Sequence, residues 1–204
     1  MKKKVLITAG STWVKIDEVR ILTNRFTGRT GIELARALQN AGCSVTLLVN
    51  PHCVNKELSG LKAVEFFYYD EFKDKVVSLL RREKFDAIIH TAAVSDYILP
   101  KPEKNKIPSG KKSLTLKLKP AQKIIKLIRQ AAPQALLIQF KLERARAGLV
   151  DKAYASLVAN GSDFVVANAL ADIDIKYLIS REKNIIKAWG TAQLAQNLVS
   201  CIAP

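Results

Sequence analysis

The chain reads as an α/β protein built on a doubly wound, mostly parallel sheet of Rossmann-like type, carrying a basic flap and an antiparallel arm. Three observations predict this. Short apolar runs rich in Val, Ile and Phe recur along the sequence, as strands buried on both faces require. Amphipathic stretches that start or stop on capping residues separate them, which is the rhythm of strand–helix–strand units. No repeat, linker or low-complexity tract interrupts the 204 residues, so residues 1–204 form one domain, large enough for a full core.

In chain order, "KVLITA" at 4–9 is the first strand, and the basic start "MKKK" leads into too short an apolar run to be a signal or a membrane span. "GRTGIELARALQNAG" at 28–42 is a helix closed by Gly42. "SVTLLV" at 44–49 and "AVEFF" at 63–67 are strands, and a helix over 70–84 opens on Asp70 as N-cap. "DAIIHTAA" at 86–93 is the fourth parallel strand. Helices follow at 120–132 and 147–161, the latter closed by Gly161, with strands at 135–140 and 163–168 between and after them.

Two segments break the rhythm. Eighteen residues separate the first strand from Gly28 and Gly31 at the mouth of the first helix, whereas in the common dinucleotide-binding unit strand, glycine turn and helix are nearly continuous. From Lys101 to Arg129 there are ten basic residues and one acid, a net +9 within a chain total of +15. This stretch begins with the Pro- and Gly-bearing "PKPEKNKIPSGKK", read as a flexible loop, and continues as "SLTLKLK" at 113–119, whose alternation predicts a half-exposed antiparallel strand. Such a basic loop either forms a solvated edge or closes lysines over phosphates.

The excess of 33 Lys and Arg over 18 Asp and Glu favours anionic partners. Cys43, Cys53 and Cys201 are odd in number and match no metal-ligand spacing, which points to three free thiols and a cytoplasmic home. No dedicated metal motif is visible. A nucleic-acid-binding module would need aromatics beside the lysines, and residues 101–129 contain no Phe, Tyr or Trp. An NAD(P)-dependent short-chain reductase would need its Tyr-x-x-x-Lys pair on a helix, whereas Tyr97 and Lys101 flank the proline of "YILPK".

"ITAGST" at 7–12, "IDEVRILTNRFTGRTG" at 16–31, "AAVSDY" at 92–97, "PEKNKI" at 102–107, "FKLE" at 140–143 and "VVAN" at 165–168 resemble, in order and approximate spacing, the phosphopantothenate–cysteine ligases, in a stand-alone form. The resemblance implies an enzyme of coenzyme A biosynthesis that joins 4′-phosphopantothenate and cysteine. It activates the carboxylate with CTP or ATP, releases pyrophosphate, and lets the amine displace the nucleotide monophosphate. Mg²⁺ would accompany the triphosphate, held mostly by phosphate oxygens and water.

The resemblance also implies roles. Gly10, Ser11, Thr12, Thr27, Gly28, Arg29 and Gly31 would surround the triphosphate, with Phe140 and Asn168 as further nucleotide contacts. Asn24 would hold the acyl carbonyl, and Ala92, Ala93 and Asp96 would contact phosphopantothenate. Arg20 would reach from one protomer to the phosphate bound in the other, which implies a homodimer with shared sites. A flap lysine would stabilise charge on the α-phosphate: alignment on "PEK" selects Lys104 and counting back from "SLTLKL" selects Lys106. "KPA" at 119–121, Gln139 and Ala169 depart from the common bacterial pattern, and "FKLE" and "VVANAL" resemble the ATP-using eukaryotic branch, so the choice of base stays open. His52 and His90 lie outside these motifs and are read as structural.

Overall fold

The computed structural model describes residues 2–53 and 58–202. Its strands are β1 (Lys4–Ala9), β2 (Trp13–Lys15), β3 (Ile21–Thr23), β4 (Ser44–Val49), β5 (Lys62–Glu65), β6 (Ala87–His90), β7 (Tyr97–Ile98), β8 (Lys119–Pro120), β9 (Leu136–Glu143), β10 (Phe164–Ala169), β11 (Asp172–Ser180) and β12 (Ile185–Trp189). Its helices are α1 (Arg29–Asn40), α2 (Tyr69–Arg82), α3 (Ile124–Ala131), α4 (Leu149–Asn160) and α5 (Gly190–Ile202).

Eight strands form the main sheet in the order β12-β11-β10-β9-β6-β1-β4-β5. The six from β5 to β10 are parallel, and counted among themselves they run 3-2-1-4-5-6, the doubly wound order. β11 and β12 close the β10 side antiparallel. Alternate residues of the central strands face opposite layers: Val5, Ile7 and Ala9 pack with α1 and α5, and Leu6, Leu48, Ile88 and Leu137 pack with α2 and α3. That two-sided burial is why these runs are mostly apolar, with only Thr8, Thr46 and Gln139 as buried polar residues on β1, β4 and β9. The winding reverses between β1 and β6, so the switch point lies at their carboxyl ends.

Local chemistry moved several boundaries. Asp70 is not the N-cap of α2; Tyr68 is, and the Glu71 carboxylate turns back to accept from the Phe67 and Tyr68 amides at 2.8 and 3.5 Å. The helix expected from residue 120 begins at Ile124, because Ala121 N–H donates to Asp96 C=O at 2.8 Å and the Tyr69 hydroxyl donates to Gln122 C=O at 2.7 Å, which holds the approach extended. The arm expected over 113–119 forms no strand beyond Lys119–Pro120, which pairs with Tyr97–Ile98. Continuing that register would set Lys117 opposite Pro100, which has no N–H to give the ladder. Leu114 and Leu118 are left 50% and 40% exposed.

The β2–β3 and β11–β12 hairpins and α5 were not anticipated. β10 and β11 are offset by an irregularity between Asn168 and Ala169: Asn168 faces Lys176 while Ala169 faces Asp172, so Ile173, Asp174 and Ile175 have no partner on β10. Cys43 and Cys201 are free thiols, and the side chain of Cys53 lies outside the described residues. Among the described residues no helix is long and apolar enough to cross a membrane.

Candidate functional site

The long segment between β1 and α1 is the β2–β3 hairpin, and it stands over the switch point. Trp13 N–H donates to Phe67 C=O at 2.9 Å while its ring packs against His52, Phe67 and Tyr68, with centroids 5.1, 5.6 and 5.9 Å away. Three-residue strands could not stand alone in water; this aromatic cluster holds them. The loop after β1 is tied to the loop after β6: Ala93 N–H donates to Gly10 C=O at 2.9 Å and Thr12 N–H to Ala93 C=O at 3.3 Å.

The chain then returns through Gly28, whose φ of 80° lies in the left-handed region, to start α1. A Cβ at Gly28 would sit 2.3 Å from Gly10 N, and one at Gly31 would meet Ala9 Cβ at 2.7 Å and Thr91 Oγ1 at 2.8 Å. Both glycines therefore let α1 begin directly against β1 and β6. Alanine at Gly28 should lower the melting temperature by several degrees, as a melting curve of the variant would show.

These elements frame a cleft of about 280 Å³ on the carboxyl edge of the sheet. Thr27, Gly28 and Arg29 from the start of α1, Ala92 and Ala93 after β6, Phe140 on β9 and Asn168 on β10 line it together. The sequence reading had named all seven, from segments far apart in the chain. Phe26, Thr30, Thr91, Leu142, Ile173 and Lys176, which the sequence does not single out, complete the wall. Lys176 sits on a strand that was not anticipated, and no motif flagged it.

The remaining candidates are placed differently. Ser11 and Thr12 are fully buried: the Ser11 hydroxyl donates to Phe26 C=O at 2.8 Å, and Thr12 Oγ1 accepts from Ser95 N–H at 2.9 Å. Their side chains shape the loop and do not line the cleft. Asn24 is exposed, its amide donating to Ala93 C=O at 3.3 Å, beside the cleft wall. Asp96 is exposed and paired with Lys123. His90, where β6 ends, bonds Thr8 Oγ1 through Nδ1 at 2.9 Å, and burial lowers its pKa to about 4, so it is neutral at physiological pH. Thr8 Oγ1 in turn accepts from Ala92 N–H at 3.2 Å.

The flap does not lie over the cleft. Glu103 N–H donates to Ile16 C=O at 2.9 Å and Ile107 N–H donates to Asp17 Oδ2 at 3.0 Å, pinning Lys104–Lys106 as a short arch against the turn of the β2–β3 hairpin. Asp17 is buried and also accepts from Val19 and Arg20 N–H, at 2.9 and 2.8 Å, and from the Arg20 guanidinium, which donates in addition to Ile107 C=O at 3.3 Å. Desolvation pushes the Asp17 carboxyl up, but the Ile107, Val19 and Arg20 donors outweigh it and hold its pKa at about 2. A depressed carboxylate stabilises the fold above its unfolded pKa and loses that contribution as pH falls through the folded value. The latch should therefore be complete above about pH 4 and open toward pH 2. At neutral pH, Asp17→Asn should speed tryptic cleavage after Lys104 and Lys106 several-fold with little change in far-UV circular dichroism.

A family model described as "DNA/pantothenate metabolism flavoprotein C-terminal domain" matches residues 1–200. Coenzyme A biosynthesis bifunctional protein CoaBC of Thermococcus kodakarensis is 34% identical over 170 residues, covering 82% of this chain and 41% of that protein. The chain thus spans less than half of that relative's length. Among solved structures, the DNA/pantothenate metabolism flavoprotein from Streptococcus pneumoniae superposes with a TM-score of 0.84 at 28% identity, covering 98% of both chains. The C-terminal domain of a CoaBC protein superposes with a TM-score of 0.81 at 25% identity, covering 98% of this chain and 93% of that one. With its doubly wound sheet and the cleft at its switch point, the chain belongs to the DNA/pantothenate metabolism flavoprotein C-terminal domain family.

Proposed function

We propose that this chain is a phosphopantothenate–cysteine ligase acting in coenzyme A biosynthesis. The observation that carries the reading is the convergence of Thr27–Arg29, Ala92–Ala93, Phe140 and Asn168 on one cleft at the switch point, where open α/β sheets bind ligands. In this reading the nucleotide lies along the start of α1 and reaches Phe140 and Asn168. Phosphopantothenate lies between the hairpin and the loop after β6. Its carboxylate attacks the α-phosphate of CTP or ATP, pyrophosphate leaves, and the amine of cysteine then displaces the nucleotide monophosphate to form the amide. Asn24 orients the acyl carbonyl as a neutral donor that does not compete as a nucleophile, and Lys106 or Lys104 meets the charge developing on the α-phosphate. The cleft is lined by Arg29 and Lys176 and, among the described residues, by no carboxylate, which suits a triphosphate that brings Mg²⁺ on its own oxygens.

The same reading includes a two-fold dimer in which Arg20 serves the neighbouring site. Val19, Ile21 and Leu22, beside Arg20, are exposed apolar side chains that a second copy of the hairpin would cover.

Mixing the protein with phosphopantothenate, Mg²⁺ and CTP or ATP should release pyrophosphate, and adding cysteine should yield phosphopantothenoylcysteine. Folded protein that does neither with either nucleotide would refute the assignment.

A further inference from the structure

Lys176 is only 6% exposed, yet it lines the cleft, directly across the β10–β11 ladder from Asn168. Its ammonium donates to the Ile173 carbonyl at 3.0 Å, a neutral acceptor that occupies one of three N–H groups. Asp174 and Glu33 are near enough to be felt, but no ion pair joins Lys176 to a carboxylate among the described residues, and burial pushes its pKa down. Enclosing an ammonium without a counter-charge is costly, because its hydration is lost and one carbonyl replaces little of it. The cleft itself is where a counter-charge would arrive. At the same cleft α1 begins at Gly28 with no side-chain cap and no acidic residue in its first turn, so the first-turn amides are not capped by a carboxylate.

We infer that Lys176 is a nucleotide-binding residue whose ammonium pairs with the polyphosphate chain, opposite the amide end of α1. This deepens the ligase reading and rests on it for the identity of the nucleotide. The chemistry itself is that of a phosphate anion, which the nucleotide or phosphopantothenate could each supply, and the assignment here is to the nucleotide.

The test compares wild type, Lys176→Met and Lys176→Arg in three measurements: calorimetric titration with tripolyphosphate, CTP, ATP and phosphopantothenate; steady-state KM for each substrate; and melting of the ligand-free protein. Methionine should weaken tripolyphosphate and nucleotide binding about 10- to 100-fold, the loss of one charge-assisted contact. Nucleotide KM should rise in parallel, phosphopantothenate KM should stay within two-fold, and arginine should restore most of the affinity. Ligand-free Lys176→Met should melt at or above the wild-type temperature, because a buried charge without a partner has been removed. Unchanged tripolyphosphate affinity would overturn the inference, as would a loss confined to phosphopantothenate. A variant that melts lower at unchanged KM, or collapse of both Lys176→Met and Lys176→Gln, would make the lysine structural and overturn it too. Lysine-dependent tripolyphosphate binding in a protein without ligase activity would instead refute the ligase reading and leave the anion site standing.

Discussion

If the proposed dimer shares its sites, alanine at Arg20 and alanine at Asn24 should each leave the protein nearly inactive, whereas a co-refolded equal mixture should recover about a quarter of wild-type activity. The fraction follows from the shared-site proposal. Random pairing makes half of the dimers heterodimers, and in each of these one of the two sites combines an intact Asn24 with an intact Arg20 from the neighbour. If Arg20 served its own protomer's site, every site in the mixture would lack one of the two residues and recovery would be nil. The competing role is visible within the chain: Arg20 pairs with the buried Asp17 and donates to Ile107 C=O, which would make it a bracket for the flap. Sedimentation of the unmixed protein and the recovery ratio together separate the two roles. A monomer, or no recovery in a mixture shown to contain heterodimer, rules out sharing.

In the proposed ligase reaction, glutamine at the effective flap lysine should slow acyl-nucleotide formation on the order of 10²- to 10³-fold, the scale on which loss of a single preorganised donor to a developing oxyanion is felt. Lys106 is the expected residue and Lys104 the alternative; the other substitution should cost far less. Both lie in the arch between Glu103 and Ile107, and neither lines the cleft while the Asp17 latch holds. Single-turnover release of pyrophosphate isolates the step, and near wild-type rates in both variants would reduce the basic loop to a solvated edge. Asp17→Asn offers a second handle, since it frees the arch without touching either ammonium.

The parallel half of the fold was legible because two-sided burial leaves a plain mark. Val5–Ala9, Val45–Val49 and Ala87–Ile89 are buried from end to end, and the threonines within them, Thr8 and Thr46, are β-branched residues that leave the strand pattern intact. The hairpins were illegible for the opposite reason. β2 and β3 are three residues long and owe their form to Trp13 packing on His52, Phe67 and Tyr68, partners that local sequence does not announce. β11 opens with "DIDIK", whose acids read as loop, and its lysine is buried by tertiary context. The segment 113–118 misled in the other direction, because alternation makes a strand only when a neighbour has N–H groups to offer, and Pro100 does not. At the site, cleft-lining residues close to Gly28, Ala93 and Asn168 were found through their motifs, while Lys176 came to the cleft only through a cross-strand pairing.

The offset between β10 and β11 separates two jobs that strands usually perform together. Ile173 and Asp174 pair with neither β10 nor β12 and are exposed, so their number and size are set by neither the pleat nor the core, while Ile175 rejoins the sheet opposite Trp189 and pairing with β10 resumes at Lys176. The end wall of the cleft, where Ile173 stands, is thus adjustable chain hung on a rigid frame. Residues can be gained, lost or exchanged there without unpicking the sheet, which makes this short stretch a place where the end of the cleft can change size while its frame stays as it is.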